Sequence, residues 1–553
     1  MKRNEGWKMR AIEKNLWFQL AVAGSAAAGI AQGCSDPFES CAERRSCPLG
    51  GAAGMTSDPH AGAPSEAGQG GISAVTGGAG GRDSAVHSGA GLGGEVPVGG
   101  NGGGTTPDAG SAGEGGAGGA ASECTIGSTI YAREAVNPSN ECQVCDVAEP
   151  NAWSARADGT ACGDGQVCNA GKCESGCWID STFYAIGDTN PQNPCQFCAG
   201  GTPTSWGSTP VSICARAIDA GNEHTCLVAN GWVRCWGHNN HGQVGNGTYT
   251  DAHIPWTVDI PTRASAVALA SGSSCALAGD SLHCWGNNEG LFGNGTSAES
   301  QIPVQVVSSG VSSVGSSFFH SCVLKQGVVY CSGFNIRGQL GDGTTENRTS
   351  FVQVASLTGV SQIAAGDYHN CAIMGGKAWC WGMNENGQLG NDSTSDSHVP
   401  VQVKGLSGVT AMSAGYAFTC AIADAAAYCW GENARGQIGN NSNTDVIAPV
   451  RVHGLNGRVT AIAAGGFHAC AIVDGGAWCW GPNEGRVGDG TTTDRWMPVA
   501  VVGMERGVTA ISAGGTHTCA VKHGQVYCWG SNKYGQLGNN STTASLVPVK
   551  VAF

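Results

Sequence analysis

From residue 215 onward the chain is built from short segments in which apolar and polar residues alternate, broken by turns that contain glycine. The stretch "CAIMGGKAWCWG", residues 371–382, is representative. Such alternation on both sides of a Gly-Gly pair predicts a β-hairpin with a two-residue turn. With the turn at Gly375–Gly376, Cys371 and Cys380 face each other at a non-hydrogen-bonded pair, where Cα atoms approach to about 4.5 Å. A disulfide fits that gap. The same spacing occurs at Cys226/Cys235, Cys275/Cys284, Cys322/Cys331, Cys371/Cys380, Cys420/Cys429, Cys470/Cys479 and Cys519/Cys528, so seven cross-strand bridges are expected. Successive first cysteines stand 49, 47, 49, 49, 50 and 49 residues apart. The dipeptides midway are mostly good turn formers, because Gly, Asn and Asp tolerate positive φ; Asp424–Ala425 is the weakest. Seven repeats of strands, turns and glycine predict an all-β fold with a seven-bladed propeller.

Four strands can be drawn from each repeat: a P-V-x-V segment, a V-T-x-I-x-A-G segment, and the two cysteine strands. The first repeat starts at "ARAIDAGNEHTC" without a P-V-x-V segment, whereas the chain ends on one, "VPVKVAF" at residues 547–553. This predicts that the last strand completes the first blade and closes the ring, which would remove long exposed edges.

The pattern upstream is different. Lys2, Arg3, Lys8, Arg10 and Lys14 precede the apolar run "LWFQLAVAGSAAAGIAQGC". A basic segment followed by an apolar one reads as an export signal over residues 1–33; its Ala and Gly content is weak for a spanning helix. The end, "IAQGC", resembles the lipobox of bacterial lipoproteins, with Ala31 where that family usually has Leu. The resemblance implies lipidation of Cys34, residues 34–48 as the lipidated N-terminus, and, from Ser35, sorting to the outer membrane. Residues 49–122 are dominated by Gly, Ala and Ser, with no hydrophobic period, and predict a disordered tether with a mean span of about 50 Å.

Residues 123–214 form a second kind of repeat. "CTIGSTIYAREAVNPSNECQVCDVAEPNAW" from Cys124 matches "CWIDSTFYAIGDTNPQNPCQFCAGGTPTSW" from Cys177 with a constant offset, as in Tyr131/Tyr184, Cys142/Cys195 and Trp153/Trp206. The pattern predicts a small module in which disulfides replace a core. Each half carries a C-x-x-C, but no His pair and no βαβ context accompanies it, so neither a zinc site nor a redox motif is expected. The 27 cysteines are an odd number; lipidation of Cys34 would leave an even set in every region. Such cysteine usage points to an oxidising compartment.

Aligned on the second cysteine, the blades read "CWGHNNHGQVGNGT", "CWGNNEGLFGNGT", "CSGFNIRGQLGDGT", "CWGMNENGQLGNDST", "CWGENARGQIGNNS", "CWGPNEGRVGDGT" and "CWGSNKYGQLGNNST". Residues 215–553 thereby resemble the regulator of chromosome condensation (RCC1) repeat family, which implies a seven-bladed β-propeller. The third blade departs from the pattern, with Ser332 for Trp and Phe351 for Pro, and the second is shortened before Cys275. The resemblance implies two kinds of function. One is nucleotide exchange on a small GTPase, performed in the eukaryotic factor by a protruding β-wedge for which spacings of 47–50 leave no room. The other is protein recognition by a propeller face, as in secreted bacterial propellers that cover the active-site mouth of β-lactamases.

The formal charge of −14 argues against a general nucleic-acid binder. Most of it lies outside the blades: residues 1–214 hold 11 basic and 21 acidic residues, residues 215–553 hold 17 and 21. His224, His320, His369, His468 and His517 each precede a blade's first cysteine by two residues. A ring of histidines suggests metal, but each belongs to a different blade, so interior hydrogen bonds between blades are expected and no metal. The N/D-G-T turns lack the spaced carboxylates of a calcium loop. No G-x-S-x-G, H-E-x-x-H or phosphate loop is present. No catalytic or cofactor-binding residue is therefore named and no cofactor is expected. The reading is a non-catalytic cell-envelope binding or scaffold protein whose propeller face takes a protein or glycan. Nucleotide exchange and a purely structural surface role are the alternatives.

Overall fold

The computed structural model describes residues 123–162, 166–199, 204–208 and 214–553. The signal, Cys34 and the tether expected over residues 1–122 lie outside them. Seven four-stranded antiparallel sheets follow one another at residues 215–257, 264–307, 311–353, 360–402, 409–451, 459–500 and 508–550, numbered here as blades 1 to 7. In each, the strands run in chain order from the inner strand to the outer one.

That order corrects the expected ring closure. The proline strand pairs with the cysteine strand that precedes it, as in Cys380↔Val401 and Cys528↔Val549. The repeat therefore begins at the V-T-x-I-x-A-G strand, blade 1 has its own outer strand, Ala252–Thr257, and Ser545–Lys550 is the outer strand of blade 7. No strand is shared across the gap. The ring closes by side-chain packing instead. Leu227, Ala229 and Trp236 of blade 1 join Val521, Val526 and Leu537 of blade 7 in one buried cluster. Ser512 donates to Asp219 at 2.9 Å and accepts from the Ala220 N–H at 3.0 Å. Pro255, Pro303, Pro400, Pro449, Pro498 and Pro548 sit in outer strands, where a missing N–H blunts an exposed edge.

In every blade the two cysteines face each other across the central hairpin and are bonded. The bridges are Cys226–Cys235 in blade 1, Cys275–Cys284 in blade 2 and Cys322–Cys331 in blade 3. Blades 4 to 7 hold Cys371–Cys380, Cys420–Cys429, Cys470–Cys479 and Cys519–Cys528. Their Cα atoms are 4.0–4.1 Å apart, nearer than the 4.5 Å expected of such a pair, a correction to the register estimate that leaves the pairing itself unchanged. The outward member of each pair, Cys235, Cys284, Cys331, Cys380, Cys429, Cys479 or Cys528, is buried beneath the outer strand, so these sulfurs are internal cross-links. Six of the hairpin turns hold both central residues at positive φ, including Asp424 and Ala425 at 49° and 60°. Ala425 thus takes a conformation that its Cβ disfavours.

The segment before the propeller is stapled rather than packed. Its bridges are Cys124–Cys145, Cys142–Cys168, Cys162–Cys173, Cys177–Cys198 and Cys195–Cys214. The two halves repeat in detail: Tyr131 lies 4.6 Å from Trp153 and Tyr184 lies 4.6 Å from Trp206, both tilted by 58°.

Candidate binding face

The seams between blades are built from one recurring contact. A buried tryptophan indole donates to a backbone carbonyl of the preceding blade: Trp285 to Gln243, Trp381 to Gln339, Trp430 to Gln388, Trp480 to Gln437 and Trp529 to Arg486, at 2.8–2.9 Å. Trp236 reaches Gln536 at 2.8 Å and closes the circle. Blade 3 keeps this bond without the ring. Ser332 Oγ donates to Leu291 O at 3.2 Å. The Phe351 ring takes up the space beside Gly293 that a tryptophan fills beside Gly245 and Gly341. The two departures in blade 3 are therefore one compensated exchange.

The five histidines tie the same seams. His224, His369, His468 and His517 Nε2 lie 2.7–2.9 Å from Ser274, Thr419, Thr518 and Thr225 on the next blade. Each of these hydroxyls donates its own proton to the seam carbonyl, so it must accept from the imidazole. These four rings are thus neutral with the proton on Nε2. His320 is the exception. Asn370 Nδ2 donates to its Nε2 at 2.6 Å, which leaves the proton on Nδ1, where Ser317 Oγ accepts at 3.1 Å. Burial holds His224, His369 and His517 down to about 3 and His320 to about 4. Every ring is spent on a different seam, so the five do not converge on a common ligand.

The glycine-rich turns are similarly occupied. The fully buried Asn384 donates to Asn391 Oδ1 at 3.2 Å, Ser393 O at 2.9 Å and Ser395 O at 3.0 Å, and accepts from the Leu389 N–H at 2.9 Å. In blade 3 the equivalent Asp342 oxygen accepts from Asn335 and Thr344. The carboxylates and amides of these loops organise the chain itself.

The C-x-x-C cysteines do not pair with each other: Cys142 and Cys145 go to Cys168 and Cys124, Cys195 and Cys198 to Cys214 and Cys177. Cys142, Cys162 and Cys168 cluster within 4.8 Å, but all three are oxidised in bridges and offer no thiolate.

The two ends of the propeller differ. One, the turn face, carries the cysteine hairpin turns and the connections between blades. The second half of the disulfide module docks there. Cys195–Cys214 welds it to the residue before blade 1, His523 stacks on Phe197 at 4.5 Å and donates to Gly187 O at 2.8 Å, and Arg506 pairs with Asp188 at 3.4 Å. At the opposite end, the loop face, the short loops after the inner strands bring aromatic rings together. Phe318 and Phe319 lie 5.0 Å apart, Phe319 and Tyr368 4.8 Å, Tyr368 and Tyr416 6.0 Å, Tyr416 and Phe467 5.8 Å, so rings from blades 3 to 6 form an arc. Phe318 is 41% exposed and the others are half-buried. Asp367 lies within the arc and accepts from the Phe318 N–H; burial raises its carboxyl to about 6. Burial, and then the charges of Asp367, Glu432 and Glu385, push the Tyr416 hydroxyl up to about 12. Motif spacing does not single out these loops, because their rings occupy different columns of the repeat: Phe318 and Tyr416 in one, Phe319, Tyr368 and Phe467 in the next.

The RCC1-like domain profile matches residues 160–471, and the RCC1 repeat matches residues 474–521 and 523–553. The chain belongs to the RCC1-like domain family. Among curated relatives of this RCC1-like chain, the Ultraviolet-B receptor UVR8 of Arabidopsis thaliana is 32% identical over 141 residues, 24% of this chain and 32% of the receptor. The human E3 ubiquitin-protein ligase HERC2 is 30% identical over 138 residues, 23% of this chain and 3% of the ligase. The matched segments span a minor part of both relatives. Among solved structures, human WBSCR16 superposes with a TM-score of 0.53 at 21% identity, covering 58% of this chain and 94% of that one. Yeast RCC1 (Prp20), solved bound to Kap60, gives 0.52 at 19%, covering 62% and 85%. At these identities the likeness is one of fold. The number of disulfides suggests an extracellular or exported chain.

Proposed function

We propose that this chain is a non-catalytic, exported binding protein of the cell envelope that presents the loop face of its RCC1-like propeller to a protein partner. The observation that carries this reading is the division of labour between the two ends. The second half of the disulfide module docks on the turn face, while the aromatic arc stands on the other. A lipid anchor at Cys34 and a Gly-rich tether would then hold the propeller at the outer membrane. Rings fixed on short loops of a rigid scaffold give contact area at low entropic cost.

The test is capture from envelope and culture-medium extracts with the full chain made in an oxidising compartment. A stoichiometric partner lost with Tyr416→Ala and kept with Lys377→Ala, on the turn face, supports the reading. Equal loss or equal retention with both variants defeats it. Exchange on a small GTPase is the second reading. It draws on the fold, and Prp20p is described by its binding to Gsp1p and histones. Repeat spacings of 47–50 residues, with no inserted wedge, weigh against it. An unchanged rate of nucleotide release from a GTPase would remove it.

A further inference from the structure

The seam between blades 2 and 3 is built with fewer parts than its neighbours. Elsewhere the outer strand is followed at once by a buried valine, Val258, Val354, Val403, Val452 or Val501. The connection after it then buries a second apolar anchor, Ile260, Leu357, Leu406, Leu455 or Met504. In blade 2 the valine column holds Val306, which is only half-buried, and Val307, Ser308, Ser309 and Gly310 supply no buried anchor. From Val306 to Val311, where the next inner strand starts, is five positions; from Val354 to Val360 it is six, and from Val452 to Val459 seven. The shortfall shows in the register: Leu282 pairs with Val307 and His283 with Gln305, so a bulge leaves Val306 out of the ladder. Ser332 and Phe351 repair the loop-face end of this seam. Toward the turn face it stays open, as a cavity of about 260 Å³ lined by Val307, Val323, Lys325, Tyr330 and Phe351.

Apolar side chains form most of this wall, and one cation stands in it uncommitted. Lys325 lays its stem along the shortened connection, where a Cβ at Gly310 would lie 3.0 Å from its Cε. Its ammonium has no ion pair or hydrogen bond among the described residues, and neither has the Tyr330 hydroxyl. The same column is settled in other blades: Lys522 donates to Gly503 O at 2.8 Å, and Met374 packs into its seam. We propose that this cavity binds a small apolar carboxylate. The hydrocarbon part would lie among Val307, Val323 and the Phe351 ring, with the carboxylate at the Lys325 ammonium and the Tyr330 hydroxyl as a second donor. Ligand pockets commonly run to about 300–1,000 Å³, so a cavity just below that range takes a short chain and leaves no room for a full lipid. An amine of the same length would meet the lysine as a like charge, and an alcohol would forgo the charged hydrogen bond. The site is separate from the aromatic arc and does not depend on what the loop face binds.

The experiment titrates the full oxidised chain at neutral pH with octanoate, octanol and octylamine, read by saturation-transfer NMR. Octanoate is expected to saturate one site and to bind about tenfold more tightly than octanol, the worth of one charged hydrogen bond. Octylamine should be the weakest. From butanoate to octanoate the affinity should rise by about fourfold per methylene until the cavity is full. Lys325→Met gives the column the residue that blade 4 carries, and should bring octanoate down to the level of octanol. Val307→Phe fills the cavity and should abolish binding of all three. Lys522→Met, at the settled column of blade 7, should change nothing. Melting curves check that each variant keeps the ring; should Val307→Phe melt early, Lys325→Met and the chain-length series decide by themselves. Octanoate no tighter than octanol, or unchanged in Lys325→Met, overturns the proposal. So does an equal loss in Lys522→Met, which would mark a general attraction to cations, and so does uptake that never saturates, which would be adsorption only. Partner capture through Tyr416 is untouched by any of these outcomes, so the two readings fail separately.

Discussion

The disulfide module and the propeller are both tandem repeats cross-linked by cystine, yet the bond plays different parts in them. Module bridges join residues 11 to 26 apart, and cysteines dominate the buried set: Cys142, Cys162 and Cys168 in one cluster, Cys177, Ile179 and Cys198 in another. Propeller bridges such as Cys420–Cys429 each span nine residues inside a single hairpin, and the core lies between blades, in clusters such as Ile422, Ile438, Val452, Leu455 and Trp480. In the first region the covalent bonds stand in for a hydrophobic core. In the second they stiffen hairpins that already have one. A repeat can therefore depend on its cysteines or merely be reinforced by them, and the cysteine count alone does not tell which.

Reduction under native conditions is the harshest way to break that comparison. The module is expected to unfold, read as loss of the near-ultraviolet signal of the Tyr131–Trp153 and Tyr184–Trp206 pairs and as new protease cuts within residues 123–214. The propeller should still melt cooperatively. Joint loss of both transitions would mean that the blades, too, depend on their bridges.

Acid should act in the opposite sense, on the propeller and not on the module, whose residues 123–214 contain no histidine. Five seam histidines titrate near 6.5 when unfolded but only near 3–4, or well below 6.5 for His468, when folded. Their stabilising effect is complete above pH 6.5 and is lost as pH falls toward those folded values. Asp219 and Asp367, raised to about 6, bind protons first in the folded state and return part of the stability between pH 6 and 4. Five groups outweigh two, so the melting temperature of the blades should fall steadily from pH 6.5 to 4. A flat profile in calorimetry would contradict the buried neutral imidazoles.

Two substitutions sharpen the contrast further. Trp430→Ala removes a fully buried seam ring and its bond to Gln388, and should cost about 3–5 kcal/mol in denaturant unfolding. Removing the Cys371–Cys380 bridge by a double Ala variant should cost less, about 2–3 kcal/mol at most for so short a loop. A reversed order would place the propeller's cohesion in its bridges. The smallest effect is expected at the turn of blade 5, where Ala425→Gly relieves a left-handed alanine and should stabilise by about 0.5–1 kcal/mol, visible as a small rise in melting temperature.

Much of this was legible in the residues alone, wherever the governing physics is local. The hairpins follow from alternation and a turn dipeptide, which set the facing of Cys371 and Cys380 before any other blade is considered. The same count places Cys235, Cys284, Cys331, Cys429 and Cys479 opposite their partners, each inside its own hairpin. Seven copies of that unit and the RCC1-like motifs determined the fold. The burial of the five histidines also followed, since each stands two residues from a cysteine, on the same side of a strand that packs on both faces.

What the tertiary structure alone decided is non-local. The frame of the repeat was misread because a P-V-x-V strand has a neighbour on either side in sequence, and only hydrogen-bond register tells which one it joins. Cystine connectivity in the module depends on which loops meet: Cys142 and Cys195 hold equivalent positions, yet one bridges to Cys168 in the middle of the module and the other to Cys214, its last residue, next to blade 1. Ser332 and Phe351 read as two separate departures until packing places both at one seam. The aromatic arc arises because closing the ring brings loops about 49 residues apart in sequence to within van der Waals reach, with the module held on the other end. Chain order carries the repeat; the circle that the repeats form is what gives the molecule a face.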